Sequence, residues 1–178
     1  MKVRCEIFSE CGPRWKNEDY IKVIDHLQTG RFMAVLCDGM GGHRNGDIAS
    51  KLVAEHICTY WQYNQLQYAH CGDSRIYHIR QKEIIYRSAD HIGITPEGWP
   101  IVKRAFYTGT DTYLPEIIEA DLFPGDYIFI CSDGVYGGRK EKELEEILCC
   151  DNCTADFIKN LASSPAHDSY SGILIEIK

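Results

Sequence analysis

Apolar residues in this chain fall in short runs bounded by turn signals, and only a few stretches repeat at helical spacing. Residues 31–37 (RFMAVLC) and 127–131 (YIFIC) are continuous apolar runs of strand length, which predicts two buried strands. The second is introduced by the turn Phe123-Pro124-Gly125-Asp126. Residues 172–177 (GILIEI) predict another strand, and 67–70, 75–80 and 83–87 predict more, the last two joined as a hairpin at Gln81-Lys82. Helical periodicity predicts a helix over 47–61, with Ile48, Leu52, His56 and Tyr60 four apart and Val53, Ile57 and Trp61 on the adjoining stripe. A second helix is predicted over 140–149 through Leu144, Ile147 and Leu148. A third starts near Thr154, a residue suited to an N-cap, with Phe157, Ile158 and Leu161 turned inward. Strands outnumber helices without alternating with them. That favours sheets covered by helices over a doubly wound parallel sheet.

No repeat, low-complexity tract or linker interrupts the 178 residues, so the expectation is a single domain over 1–178. The opening MKVRCEIFSE has no apolar core of a signal peptide, and no stretch reaches membrane-spanning length. The expected setting is therefore the cytoplasm, with neither membrane nor nucleic acid as partner. The acidic balance supports the latter: 26 Asp and Glu against 19 Lys and Arg give a net charge of −7, and no basic block is present. The nine cysteines are odd in number and several sit inside apolar runs, which reads as reduced thiols. Cys149, Cys150 and Cys153 crowd together, but Cys150-x-x-Cys153 has no second pair to complete a four-ligand zinc site.

Where the acids fall changes the picture most. Two apolar strands end in nearly the same way, Leu36-Cys37-Asp38-Gly39 and Cys131-Ser132-Asp133-Gly134, each followed by further glycine. Asp168 stands just before the C-terminal strand, Glu18-Asp19 before the run Tyr20-Ile21-Lys22-Val23-Ile24, and Asp73 before the strand at 75. A single Asp-Gly marks a solvated turn. Several carboxylates at strand ends would repel if they converged, and hard divalent cations with oxygen ligands are what relieves such repulsion. Arg14, four residues before Glu18, could grip an anion with its planar fork, or lie as an exposed surface arginine.

The ordered set of motifs resembles the metal-dependent protein phosphatases, the type-2C serine/threonine phosphatases. Arg14-x-x-Asn17-Glu18-Asp19 and Cys37-Asp38-Gly39-Met40-Gly41-Gly42-His43 resemble the family's opening. Gly72-Asp73-Ser74-Arg75, Asp90-His91, Pro124-Gly125-Asp126, Ser132-Asp133-Gly134 and Asp168-Ser169-Tyr170-Ser171 follow in the family's order. The resemblance implies an α+β fold of two antiparallel sheets packed as a sandwich and flanked by helices. It implies hydrolysis of phosphoserine and phosphothreonine in proteins, by a water activated between two Mn2+ or Mg2+ ions. By position, Asp38 would bridge the ions, Asp133 and Asp168 would ligate one, and Glu18 with the Gly39 carbonyl would serve the other. Asp19 would hold water from behind, Arg14 would grip the substrate phosphate, and Asp73 is the candidate ligand for a third ion. Two further readings stand beside this one: a catalytically silent module binding a phosphoprotein or partner, and a phosphatase of small esters.

The chain departs from the family at several points. Met40 stands where some relatives have histidine, with His43 nearby; Ser169 replaces an asparagine, and Gly137 stands where relatives often place another acid. The segments after the first helix and after His91 are short, which implies a pared-down sandwich and a free strand edge, a dimerisation surface to test. The compact motifs resemble those of bacterial members. No cysteine is followed by arginine six positions on, so no cysteine nucleophile of the Cys-x5-Arg kind is expected.

Overall fold

A computed structural model describes residues 2–26, 31–40, 45–60, 67–106, 115–151, 153–163 and 167–178. In chain order the elements are β1 (Val3–Glu10), β2 (Tyr20–His26), β3 (Arg31–Cys37), α1 (Gly46–Tyr60), β4 (Gln67–His70), β5 (Arg75–Arg80) and β6 (Glu83–Arg87). There follow β7 (Ile92–Ile94), β8 (Pro100–Val102), β9 (Glu116–Glu119), β10 (Tyr127–Cys131), α2 (Asp133–Tyr136), α3 (Glu141–Leu148), α4 (Ala155–Ala162) and β11 (Tyr170–Ile177). One five-stranded sheet has the order β1-β11-β10-β5-β6; β2-β3, β4-β9 and β7-β8 are two-stranded. Every pairing is antiparallel.

The large sheet is apolar on both faces because its central strands alternate two sets of hydrophobic residues. Ile128, Ile173, Ile175, Ile177 and Ile76 point one way, against Ile21, Phe32, Ala34 and Leu36 of β2-β3 and Tyr68 and Ile118 of β4-β9. Phe129, Cys131, Leu174, Tyr77 and Ile79 point the other way, against Val135 of α2, Leu144 and Leu148 of α3, and Ile158 of α4. A sandwich therefore forms on one face and a helical layer on the other, and α1 covers the outside of β2-β3. Gln81 and Lys82 both take left-handed backbone (φ 51° and 64°), the geometry that closes a two-residue hairpin at the predicted place.

The outer layer is split, as the short connections imply. β3 and β4 are not hydrogen-bonded to each other, and a cavity of about 100 Å³ lies at their seam, lined by Phe32, Met33, Ala34, Tyr68 and Ile175 among others.

Two orientations differ from expectation. Helix α1 turns Ser50 and Ala54 inward and leaves Ile48 and Leu52 at 50% and 61% exposure. Small residues at that spacing let the helix lie close to the β2-β3 ribbon, and close approach outweighs burial of the bulkier stripe. In α4, Phe157 is 39% exposed while Ile158 and Ala162 are buried. The Thr154 hydroxyl does cap the helix, accepting from the Phe157 amide at 3.2 Å, and the stripe Ala155, Ile158 and Ala162 that packs on the core leaves Phe157 on the outer side. Strands β7, β8 and β9 and the single turn α2 carry too little periodicity to be read from sequence.

Candidate active site

Strand register decides where the acids meet. Tyr20 pairs with Cys37, Cys131 with both Arg75 and Gly172, and Glu10 with Tyr170. The start of β5, the end of β10 and the start of β11 thus lie at one rim of the large sheet, and the start of β2 lies beside the end of β3 in the ribbon packed on it, where Asp38 faces Asp133, Asp73 and Asp168. Asp19, Asp38, Asp73, Asp133 and Asp168 are the residues at those ends.

Convergence shows in their protonation. Burial pushes the Asp38 carboxyl well above the usual range, and the charges of Asp19, Asp133, Asp73 and Asp168 add to the rise. Burial, then Asp73, Asp168 and Asp19, raises Asp133 to about 6. Asp38 comes within hydrogen-bonding reach of both Asp19 and Asp133, so the acids crowd one another. Burial also raises Asp19 and Asp73. A buried, crowded cluster of carboxylate oxygens that repel one another is chemically suited to a hard divalent cation.

Asp19 is the most firmly held. Ser132 Oγ donates to its Oδ2 at 2.7 Å, and the Ser171 amide donates to Ser132 Oγ at 3.0 Å. The Asn17 side chain accepts from the Asp19 amide at 3.0 Å and donates to Ser9 Oγ at 2.8 Å. Ser9 and Ser171 share a further hydroxyl bond of 2.8 Å. Ser132 and Ser171 are fully buried. Sequence reasoning missed Ser9 and Ser132 as site residues; the Ser9–Ser171 pairing is a matter of β1-β11 register, which composition does not reveal.

Arg14 and Asp168 meet directly. Arg14 Nε and Nη2 donate to the two Asp168 oxygens at 2.8 and 2.5 Å, both side chains being half-exposed. Among the described residues, no three His, Cys, Asp or Glu side chains form a ready ligand set for a metal, Asp168 being turned to Arg14. Glu18 lies at the edge, against the first turn of α1, where a Cβ on Gly46 would come within 2.8 Å of Glu18 Oε1. Gly39 is wedged between the Glu18 carbonyl and Gly46, where a Cβ would sit 2.7 Å from each. Met40 is part-buried beside Asp38, and Gly41, Gly42 and His43 lie outside the described residues. The eight described cysteines outside α1 are free thiols. Burial raises Cys71 and Cys131, each two residues before one of the acids, which is the opposite of what a nucleophile needs.

No family model matches the sequence. The chain is 26% identical to the protein phosphatase PhpP of Streptococcus pneumoniae, covering 83% of this chain and 85% of that one. The alignment spans 209 residues against 178 in this chain, so the relative carries segments that this chain lacks. Among solved structures, the S. agalactiae serine/threonine phosphatase superposes with a TM-score of 0.83 at 20% identity, covering 99% of this chain and 100% of that one. The chain shares the fold of these serine/threonine phosphatases. The catalytic domain of the serine/threonine protein phosphatase PstP, solved in complex with two manganese ions, has a TM-score of 0.70 at 20% identity and 99% coverage of each chain. Five of the seven sequence motifs, those carrying Asp19, Asp38, Asp73, Asp133 and Asp168, bring their acids to this rim, whereas Asp126 stands at the other end of β10. Among the described residues, no helix is long and apolar enough to cross a membrane.

Proposed function

We propose that the chain is a protein serine/threonine phosphatase that uses two Mn2+ or Mg2+ ions to hydrolyse phosphoserine and phosphothreonine in phosphoprotein substrates, in the cytoplasm. The observation that carries this is the convergence of Asp19, Asp38, Asp133 and Asp168 at one rim beside an arginine, in a fold shared with named phosphatases. Asp38, Asp133 and Asp168, with Glu18 and the Gly39 carbonyl, would hold the ions. When bound, two such ions supply a water acidic enough to attack near neutral pH.

The chain's own residues do the rest. Asp19 is fixed by Ser132 and Ser171 so that its carboxylate orients the attacking water. Arg14 presents a planar fork, already used bidentately on Asp168, that matches two phosphoryl oxygens equally well. Asp168 must leave Arg14 to serve as a ligand, and that same movement releases the fork for the phosphate. No side chain need carry the phosphoryl group.

The test is phosphate release from a phosphothreonine peptide with and without Mn2+, beside calorimetric Mn2+ binding, for the wild type and Asp133→Asn. Metal-dependent turnover that disappears in the variant is the expected result. A folded protein that binds Mn2+ yet releases no phosphate would point to the silent module instead.

A further inference from the structure

Asp133 and Asp73 reach the rim from different elements, and one assembly of side chains ties those elements together. Arg75, on β5 and two residues after Asp73, has a side chain only 11% exposed. Its Nε and Nη2 donate to the two oxygens of Asp90 at 2.8 and 2.7 Å. Its Nη1 donates to the Tyr77 hydroxyl and to Glu141 of α3, each at 3.2 Å. Locked on those sides, the guanidinium stacks over the Tyr136 ring, 3.5 Å from its centroid. The Tyr136 hydroxyl in turn donates to the Asp73 backbone carbonyl at 2.7 Å.

Tyr136 is the last residue of α2, and Asp133 is the first. A single turn has almost no stability of its own, because nucleating a helix costs more than one turn of hydrogen bonds returns. Ser132, at its N-cap position, gives it no side-chain cap, the hydroxyl being used on Asp19. Tertiary contacts therefore set where α2 sits, and Tyr136 makes the one that reaches Asp73.

We propose that Arg75 and Tyr136 are positioning residues: Arg75, locked by Asp90, holds Tyr136, and Tyr136 fixes the separation of Asp73 and Asp133 and with it the affinity of the acidic rim for divalent cation. This rests on the reading of Asp133 as a ligand given above. Neither residue touches substrate. They act as supporting groups behind ligands do, whose loss typically weakens metal binding about 10–100-fold.

Tyr136→Phe isolates the effect, since it keeps the ring under Arg75 and removes only the hydroxyl bond to Asp73. Mn2+ binding by calorimetry is compared among wild type, Tyr136→Phe, Arg75→Lys, the double variant, Asp133→Asn and Tyr127→Phe. The last removes a hydroxyl at the opposite end of β10 from Asp133, where Tyr127 pairs in register with Glu176 of β11, and controls for general loosening. Tyr136→Phe is expected to raise the Mn2+ Kd about 10-fold, with turnover restored by excess Mn2+ and little change in the metal-free Tm. Arg75→Lys should weaken binding similarly, and the double variant should be no worse than the stronger single, because both act along one path. Wild-type Mn2+ affinity in Tyr136→Phe, with affinity lost in Asp133→Asn, overturns the proposal while leaving the phosphatase reading intact. Equal weakening by Tyr127→Phe also overturns it. Unchanged Mn2+ binding in Asp133→Asn would remove the ligand reading and this inference together.

Discussion

Replacing Gly134 with alanine sets two effects of known sign against each other. The residue is the second of α2, and alanine is favoured over glycine within a helix by about 1 kcal/mol. Against this, a Cβ at Gly134 would lie 2.0 Å from the Ser169 carbonyl oxygen, 2.8 Å from its carbon and 3.2 Å from Tyr170 Cα. Ordinary contact begins at 3.4 Å, a shortfall of about 1.4 Å at the oxygen. All three atoms are backbone, so no side chain can rotate away; α2 and the start of β11 must separate. Overpacking of this kind costs about 1–3 kcal/mol and more where the neighbours are stiff. With only backbone to yield, the steric cost falls at the upper end of that range, about 2–3 kcal/mol, and leaves a net loss of about 1–2 kcal/mol. For a domain of this size that lowers Tm by roughly 3–8 °C. The displaced turn carries Asp133 and the displaced strand start adjoins Asp168, so the effect on catalysis should exceed the effect on stability. Misplacement of about 1 Å at such a site costs on the order of 100-fold in rate. Thermal melts and Mn2+-dependent phosphate release on Gly134→Ala measure both. A Tm at or above wild type with full turnover would mean that propensity prevails and that α2 does not pack on Ser169 as described.

Further expectations concern Arg14, Ser132 and Asp126. Arg14→Lys keeps the charge but loses the paired donors, so kcat/KM on a phosphopeptide should fall about 10–100-fold with folding unaffected; full activity would show that Arg14 does not bind the phosphate. Ser132→Ala removes both the Asp19 bond and the acceptor for the Ser171 amide in a fully buried place, which should cost about 1–3 kcal/mol in urea denaturation, and an unchanged midpoint would contradict that network. Asp126 is buried, paired with Arg80 at 2.8 and 2.9 Å and with His78 at 2.9 Å. Arg80 above all, with the Phe123 amide and His78, holds its carboxyl well below the usual range. A lowered folded value means that the stabilisation is present above the unfolded pKa of about 4 and fades as pH falls below it. Asp126→Asn should therefore lower the denaturation midpoint clearly at pH 7 and progressively less toward pH 2; a loss independent of pH would rule out the ion pair as its source.

Much of this molecule is legible in its residues. The runs RFMAVLC and YIFIC became β3 and β10 with the bounds their apolar stretches suggest, and Gln81-Lys82 closed the expected hairpin. Such features are local: burial on both faces forces a continuous apolar run, and a two-residue turn is decided by its own backbone. The acids could likewise be singled out, because each stands at the end of such a run. Other features depend on distant partners. Ile48, Leu52 and Phe157 are hydrophobic and helical in spacing, yet outward, because Ser50 and Ala54 allow closer packing in α1 and Ala155, Ile158 and Ala162 form the stripe that α4 buries. That five strand ends share one rim follows from the register of β5-β10 and β10-β11, pairings between residues about 50 positions apart, and from the packing of the β2-β3 ribbon on that sheet. The Arg14–Asp168 fork, the Ser9–Ser171 bond and the Arg75–Tyr136 stack exist only once those registers are set. Which side chains could bind a cation and an anion is written in the residues; that they face one another arises only on folding, because register and sheet packing are properties of paired strands and not of any one of them.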